Sequence, residues 1–420
     1  MKKLLLLLLI CFLISPLCLF ADDAEDSEIA EGEDVSGYDY MPQEKSSFRV
    51  KDRRIEIGFL HTRIGFANNF LSTNQIFQEK MIIDLDGLKE GFKVNLDIGV
   101  TPLFFNYVSE NKSWGYGLSI GVDSMGILNL SGDMLTLSEA NDSKSDVSGA
   151  AFVDFKVSSF FSVKQIKTKF KANMSVFVPV LYVDPDISYT LRDTKDATIV
   201  DMDYKIRVYT PMSIEDGVSD SITPTPGVDL HLGAEYPLAE VLGLRDKISF
   251  LDFIVGVDLI NIPFVPASMS DYMEMTGKIG KGNKIDIENF DDFIDTEDQS
   301  YGSKRKDIYR PFKFLTWADW KPFEEIPVSF IPTLGFSVNT LYNEPGSLEA
   351  GIKARLDLAN LFIASIGTGY YDRLWKNSLD IILNFRFFEF NIGVDLRSQD
   401  FLKSWTGSGF GVNLGFKFGG

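Results

Sequence analysis

The feature that most constrains this chain is an alternation of apolar and polar residues with a period of two, held over long runs. Successive strand residues point to opposite faces, so only a sheet with one apolar face produces it. Between Phe92 and Val100 the apolar set is Phe92, Val94, Leu96, Ile98 and Val100, against Lys93, Asn95, Asp97 and Gly99. From Phe170 the apolar face runs through Ala172, Met174, Val176, Val178, Val180 and Tyr182, with Lys169, Lys171, Asn173 and Ser175 opposite. The rule repeats from Val228 to Tyr236 against Asp229, His231 and Glu235, and from Ala350 to Leu358 against Lys353, Arg355 and Asp357. It returns from Phe388 to Leu396 against Glu389, Asn391 and Asp395, and from Phe410 to Phe418 against Asn413 and Lys417.

Strands of soluble sandwiches run about five or six residues. Several runs here keep their parity for about nine to eleven, the length a tilted strand needs to cross a bilayer. Candidate strands start near Ile55, Met81, Phe92, Trp114, Ala151, Phe170, Val200, Val228, Phe253, Phe312, Val328, Ala350, Leu361, Leu379, Phe388 and Phe410. Single-chain barrels favour even strand numbers, so the expectation is an all-β, transmembrane, antiparallel up-and-down barrel of about 14 strands, within roughly 12 to 16. The apolar parity would face lipid. Glu56, Lys93, Asp97, Lys169, Lys171, Asp229, Glu235, Lys353, Arg355, Asp357, Glu389 and Asp395 would line or plug the lumen. Trp114, Trp317, Trp320, Trp375 and Trp405 fall at or beside the ends of runs, the place of interfacial girdles.

Outside the strands, Met1 to Ala21 reads as a cleaved secretory signal peptide: Lys2 and Lys3, an apolar run from Leu4 to Phe20, then Ala21 before Asp22. Residues 22–50 read as a disordered acidic tail, because Asp22 to Glu44 holds ten acidic residues and no Lys or Arg. The barrel would occupy 51–420, interrupted by a long loop from Pro263 to Tyr309 and a second loop from Asp184 to Lys195. The first of these splits its charge, with Lys278, Lys281 and Lys284 followed by a run of acids from Asp286 to Asp298. It lacks the residue order of a calcium-binding EF-hand and reads as a solvated surface loop.

Few chemistries remain open. Both cysteines, Cys11 and Cys18, lie in the leader, and His61 and His231 are the only imidazoles, so no metal site, cofactor or catalytic constellation is expected. Net charge is −19, becoming −21 once Lys2 and Lys3 leave with the leader, which disfavours nucleic acid as a partner. Gly117-Leu118-Ser119-Ile120-Gly121 matches the serine-hydrolase elbow by letters. The elbow needs a sharp turn into a helix, whereas Trp114, Tyr116, Leu118, Ile120 and Val122 continue one alternating strand through Ser119.

Together the leader, the alternating runs and the aromatic final strand resemble the bacterial outer-membrane β-barrel class, from about Arg54 to Phe418. Members of that class usually end on an aromatic residue, whereas Gly419 and Gly420 follow Phe418 here. Size and strand count are also similar to the long-chain fatty-acid transporters, a resemblance that implies a plugged barrel for hydrophobic substrates, although the Asn-Pro-Ala plug motif is missing. Resemblance to porins implies a constricting loop, for which Pro263 to Tyr309 is the candidate. The expected function is passage of small solutes across an outer membrane, with lipid as the surrounding partner. The alternatives are a sealed barrel whose loops bind an extracellular partner, and a fatty-acid-type transporter.

Overall fold

The computed structural model describes residues 53–69, 92–130, 146–163, 166–194, 197–211, 224–238, 253–279, 294–323, 326–342, 344–406 and 408–420. The expected leader, the acidic tail and the candidate strand near Met81 lie outside these residues. The strands are β1 (Ile55–Asn68), β2 (Phe92–Val108), β3 (Trp114–Leu130), β4 (Asp146–Val163), β5 (Thr168–Thr194) and β6 (Ala197–Tyr209). They continue with β7 (Gly227–Tyr236), β8 (Phe253–Val265), β9 (Ala267–Ile279), β10 (Ile294–Ile308), β11 (Phe312–Trp320) and β12 (Val328–Val338). The last are β13 (Gly346–Leu358), β14 (Phe362–Tyr371), β15 (Leu374–Phe385), β16 (Phe388–Ser398) and β17 (Gly409–Gly419), with a short helix, α1 (Phe401–Thr406), just before β17.

Fourteen of these strands close an antiparallel barrel, as the alternation predicts. The ring runs β1, β2, β3, β4, β5, β7, β8, β11 and on through β12 to β17. Glu56 opposite Gly419 and Ala67 opposite Gly409 then join β17 back to β1, so this wall has no open edge. The start of β1 and the end of β17 meet at one rim, where Ile55 N–H donates to Gly420 O at 3.1 Å. That rim also carries tight connections such as Ala359-Asn360, whose φ values of 54° and 54° suit a two-residue hairpin turn. Most longer connections leave from the opposite rim.

The remaining strands correct two expectations. Pro263 to Tyr309, expected as a loop, contains β9 and β10, which pair with each other from Ile294 opposite Ile279 to Ile308 opposite Ala267. Asp184 to Lys195 is likewise mostly strand. β5 first pairs with β7, from Lys169 opposite Glu235 to Phe177 opposite Gly227, then with β6 from Tyr182 opposite Tyr209 to Thr194 opposite Ala197. Since β6 also pairs with β9, the upper part of β5 with β6, β9 and β10 makes a sheet standing above the wall. Pro266 separates β8 from β9 and Pro311 precedes β11. A proline lacks the N–H a ladder requires, so each long strand breaks there and changes neighbours.

The wall is inverted relative to a soluble protein. Its exposed residues include Ile64, Leu103, Leu118, Ile120, Phe155, Leu232, Leu334, Ile352, Ile366, Leu379, Val394 and Val412, spread over eleven strands. Its buried residues include Asp154, Asp229, Glu235, Arg310, Asp319, Glu349, Glu389 and Arg397. An apolar outside and a charged inside are what a barrel surrounded by hydrocarbon requires. A bulge in β1 keeps that partition: the register shifts between Phe59 and Thr62, Leu60 takes φ 52°, and both Phe59 and Leu60 stay exposed while His61 turns inward.

Aromatic side chains gather toward both rims. Trp114 packs on Tyr107 at 5.5 Å between ring centroids, and Trp320 on Phe330 at 5.8 Å, at the rim of the chain ends. Trp375 packs on Tyr370 and on Phe401 of α1, and Phe401 in turn meets Trp405, at the opposite rim. Trp317 differs from the interfacial expectation. It shares parity with Lys313 and Asp319, and its Nε1 donates to Asp258 Oδ2 at 2.8 Å, so the indole belongs to the inner face. Strand β3 passes through Ser119 without a break, so the elbow geometry is not formed.

Candidate functional site

The inner face stacks three polar tiers along the barrel axis. Nearest the chain ends, Arg53 points into the barrel just before β1. Its Nη1 donates to Glu389 Oε2 at 3.0 Å, its Nη2 to Asn384 Oδ1 at 2.5 Å and its Nε to Arg386 O at 2.9 Å. Glu56 lies 3.5 Å from Arg53, and Lys417 donates to the other Glu389 oxygen at 2.9 Å. One arginine thus ties the segment ahead of β1 to β15, β16 and the turn between them.

The middle tier is a cavity of about 370 Å³ lined by residues of β1, β2, β3 and β13 to β17. Its wall includes His61, Arg63, Thr101, Asp123, Lys353, Ser365, Asp380, Asn391 and Asn413. Two ion pairs face it: Arg63 with Asp123 at 3.6 Å, and Lys353 with Asp380 at 3.3 Å. Asn413 Nδ2 donates to Asp380 Oδ1 at 3.2 Å.

The third tier closes the cavity toward the long connections. Arg397 pairs with Asp395 on its own strand and with Asp97 on β2, reaching across β17 and β1, and Asp97 also accepts from Arg63 Nε at 3.1 Å. Above it, the connection between β12 and β13 folds inward instead of outward. Ser148 Oγ donates to Leu341 O at 2.5 Å and Asn339 Nδ2 lies 3.2 Å from Met125 Sδ. Leu341 and Tyr342 are buried in an apolar cluster with Ile127, Ala150, Phe152 and Phe177. Their burial here is the opposite of what a solvated loop would show, and it pushes the Tyr342 hydroxyl pKa upward. Beside this connection, Lys313 reaches Glu349 at 3.1 Å and Asp372 at 2.5 Å, and Lys376 reaches Asp372 at 3.1 Å.

The twelve charges expected in the lumen are distributed through this architecture. Glu56 and Glu389 belong to the tier at the chain ends, Lys353 to the cavity wall, and Asp97 and Asp395 to the Arg397 network. On the far side of the barrel, Lys169 and Lys171 both meet Glu235, while Asp229 accepts from Arg310 Nε at 2.7 Å. Arg355 pairs with Asp319 at 2.6 Å. Asp357 sits at a hairpin and accepts from the Asn360 N–H at 2.8 Å, and Lys93 contributes a backbone N–H to Asn69 Oδ1 at 2.8 Å. The reading of parity missed Arg53, His61, Arg63, Asp123, Arg310, Asp380 and Arg397. Alternation marks a face but gives no sign of which inward charges meet across the barrel.

No protein-family model and no curated protein matches this chain. Among solved structures it is similar to a deletion mutant of the monoaromatic hydrocarbon channel TodX, with 9% identity over 88% of this chain and 90% of that one, and a TM-score of 0.49. It is also similar to the toluene transporter TodX of Pseudomonas putida, with 9% identity over 89% and 91% and a TM-score of 0.46. A FadL homologue of Pseudomonas aeruginosa gives 9% identity over 88% and 90%, with a TM-score of 0.46. The barrel assignment stands on this chain's own strand pairing.

Proposed function

We propose that this protein is an outer-membrane channel for small polar solutes, which cross through the interior of the barrel. The observation that carries this reading is the polar cavity of about 370 Å³ enclosed by a wall that is apolar outside. In such barrels the chain ends and tight turns lie on the periplasmic side and long connections outside. On that orientation the inward stretch Asn339 to Tyr342 is the outer closure, and the Arg53 cluster is the periplasmic one. Passage requires both to shift. A hydrophobic cargo fits this lining poorly, because its walls carry Arg63, Asp123, Lys353 and Asp380, and burying them against hydrocarbon would strip their water.

A second reading is a sealed barrel that presents a partner-binding surface. The observation favouring it is the sheet of β5, β6, β9 and β10 raised above the wall, combined with ion pairs that span the interior. Reconstitution into planar bilayers separates the two. A channel gives stepwise ion current that rises when residues 340–344 are replaced by a short Gly-Ser link. Absence of current from both the wild-type chain and the relinked variant would overturn the channel reading in favour of the sealed one.

A further inference from the structure

We infer that the central cavity is a saturable binding site for a small zwitterion of dipeptide size, one that carries a carboxylate and an ammonium at opposite ends. This inference rests on the channel reading and names the class of solute. Charges of both signs are presented to the cavity and neither sign prevails. Arg63 and Asp123 are 56% and 49% exposed in their side chains, and Lys353 and Asp380 are 44% and 27% exposed, although all four sit inside the wall. Their exposure is therefore to the cavity itself.

The two pairs stand on separated arcs, one on β1 and β3, the other on β13 and β15. A ligand of single charge can engage only one of the two pairs, Arg63 with an anion or Asp380 with a cation. A zwitterion can engage both at once, so the two ends of one molecule each gain a partner. A guanidinium offers five N–H donors, and the Asp97 and Asp123 pairs engage Nε and Nη2, so among the described residues Nη1 remains for a ligand carboxylate. At the other end, Asp380 Oδ2 is the acceptor for an ammonium. The geometry orients the carboxylate toward β1 and the ammonium toward β15.

Equilibrium dialysis of the full chain in detergent, with labelled glycylglycine as probe, tests this. Saturable binding is expected, with N-acetylglycine, glycinamide and glucose competing at least about tenfold less well. Arg63→Gln should weaken glycylglycine about tenfold while leaving glycinamide unchanged, and Asp380→Asn should do the same while leaving N-acetylglycine unchanged. Heat-modifiable gel migration verifies that each variant folds, and if either does not, the four-probe ranking on the wild-type chain decides. Equal competition by all four probes, or binding of glycylglycine that does not saturate, overturns the zwitterion site. Flux of the same probes through proteoliposomes separates the two failures. Unselective passage without saturable binding leaves the channel standing and removes the site, whereas binding without passage leaves the site and removes the channel.

Discussion

Asn95, on β2, donates from Nδ2 to Tyr342 Oη at 3.0 Å, joining one side of the barrel to a connection that springs from β12 and β13 on the far side. Arg373 lies over the Tyr342 ring at 4.4 Å to its centroid and holds the other face of the same side chain. These contacts fasten the inward connection together with the bond from Ser148 to Leu341 O. Tyr342→Phe removes the hydrogen bond alone, a net loss of about 1 kcal/mol, and is expected to raise the open-to-closed ratio roughly fivefold. Tyr342→Ala also removes the ring from its apolar cluster and should raise open probability further. Single-channel recording measures both, and unchanged open probability in the pair of variants would show that the connection does not close the barrel.

Arg310 governs a different part of the interior. Its guanidinium contacts Asp229 at 2.7 Å and Asp154 at 3.7 Å, and it stacks over Phe177 at 4.6 Å, with all three polar side chains almost fully buried. Arg310→Ala leaves two carboxylates buried together without a cation, and breaking such a pair from one side costs about 3–5 kcal/mol. The temperature at which the folded band converts to the unfolded one on a gel should fall accordingly. Adding Asp154→Asn and Asp229→Asn to Arg310→Ala should recover most of the loss, since the repulsion has then gone. A drop that the triple variant does not relieve would point to lost packing on Phe177 instead.

Asp372 supplies the pH dependence. Burial alone would raise its carboxyl, but Lys376 and Lys313 overcome that and hold it well below the usual carboxylate range. A depressed value in the fold stabilises the fold at all pH above the unfolded value near ~3.9, and that contribution fades as pH falls through the lower folded value. Asp372→Asn is therefore expected to melt below the wild-type chain at neutral pH, with the gap closing only in strong acid. Melting both across a pH series checks this. A gap that stays constant into acid would remove the carboxylate's charge as its cause.

How far the sequence disclosed this structure depends on what surrounds each strand. Where hydrocarbon lies on one side and the lumen on the other, as for Phe92 to Val100 or Phe388 to Leu396, the parity is forced and readable. Residues Ile294 to Ile308 carry Asp295, Glu297, Asp298, Lys304, Arg305 and Lys306 on both parities. A sheet standing above the wall has no lipid face to satisfy, so nothing compels alternation and the stretch reads as a loop. Trp317 was legible in principle, because Lys313 and Asp319 share its parity, but its place near a strand end suggested a girdle. The inward course of Asn339 to Tyr342 left only a faint mark, the adjacent Leu341 and Tyr342 in an otherwise turn-like segment.

The solvent of the outer wall can be tested by one side chain and a control. Leu334 lies midway along β12, between Thr316 of β11 and Ala350 of β13, and is 62% exposed. On a protein surrounded by water, Leu334→Lys at such a position would shift stability by no more than about 0.5 kcal/mol. Against hydrocarbon near the bilayer centre, a lysine costs about 2–4 kcal/mol, falling to about 0–1 near the interface. Leu348, 75% exposed near the start of β13, supplies the interfacial comparison. Denaturant unfolding from lipid vesicles is therefore expected to show a large loss for Leu334→Lys and a small one for Leu348→Lys. Equal and negligible losses would mean that the exposed leucines, isoleucines and valines of this wall do not touch lipid.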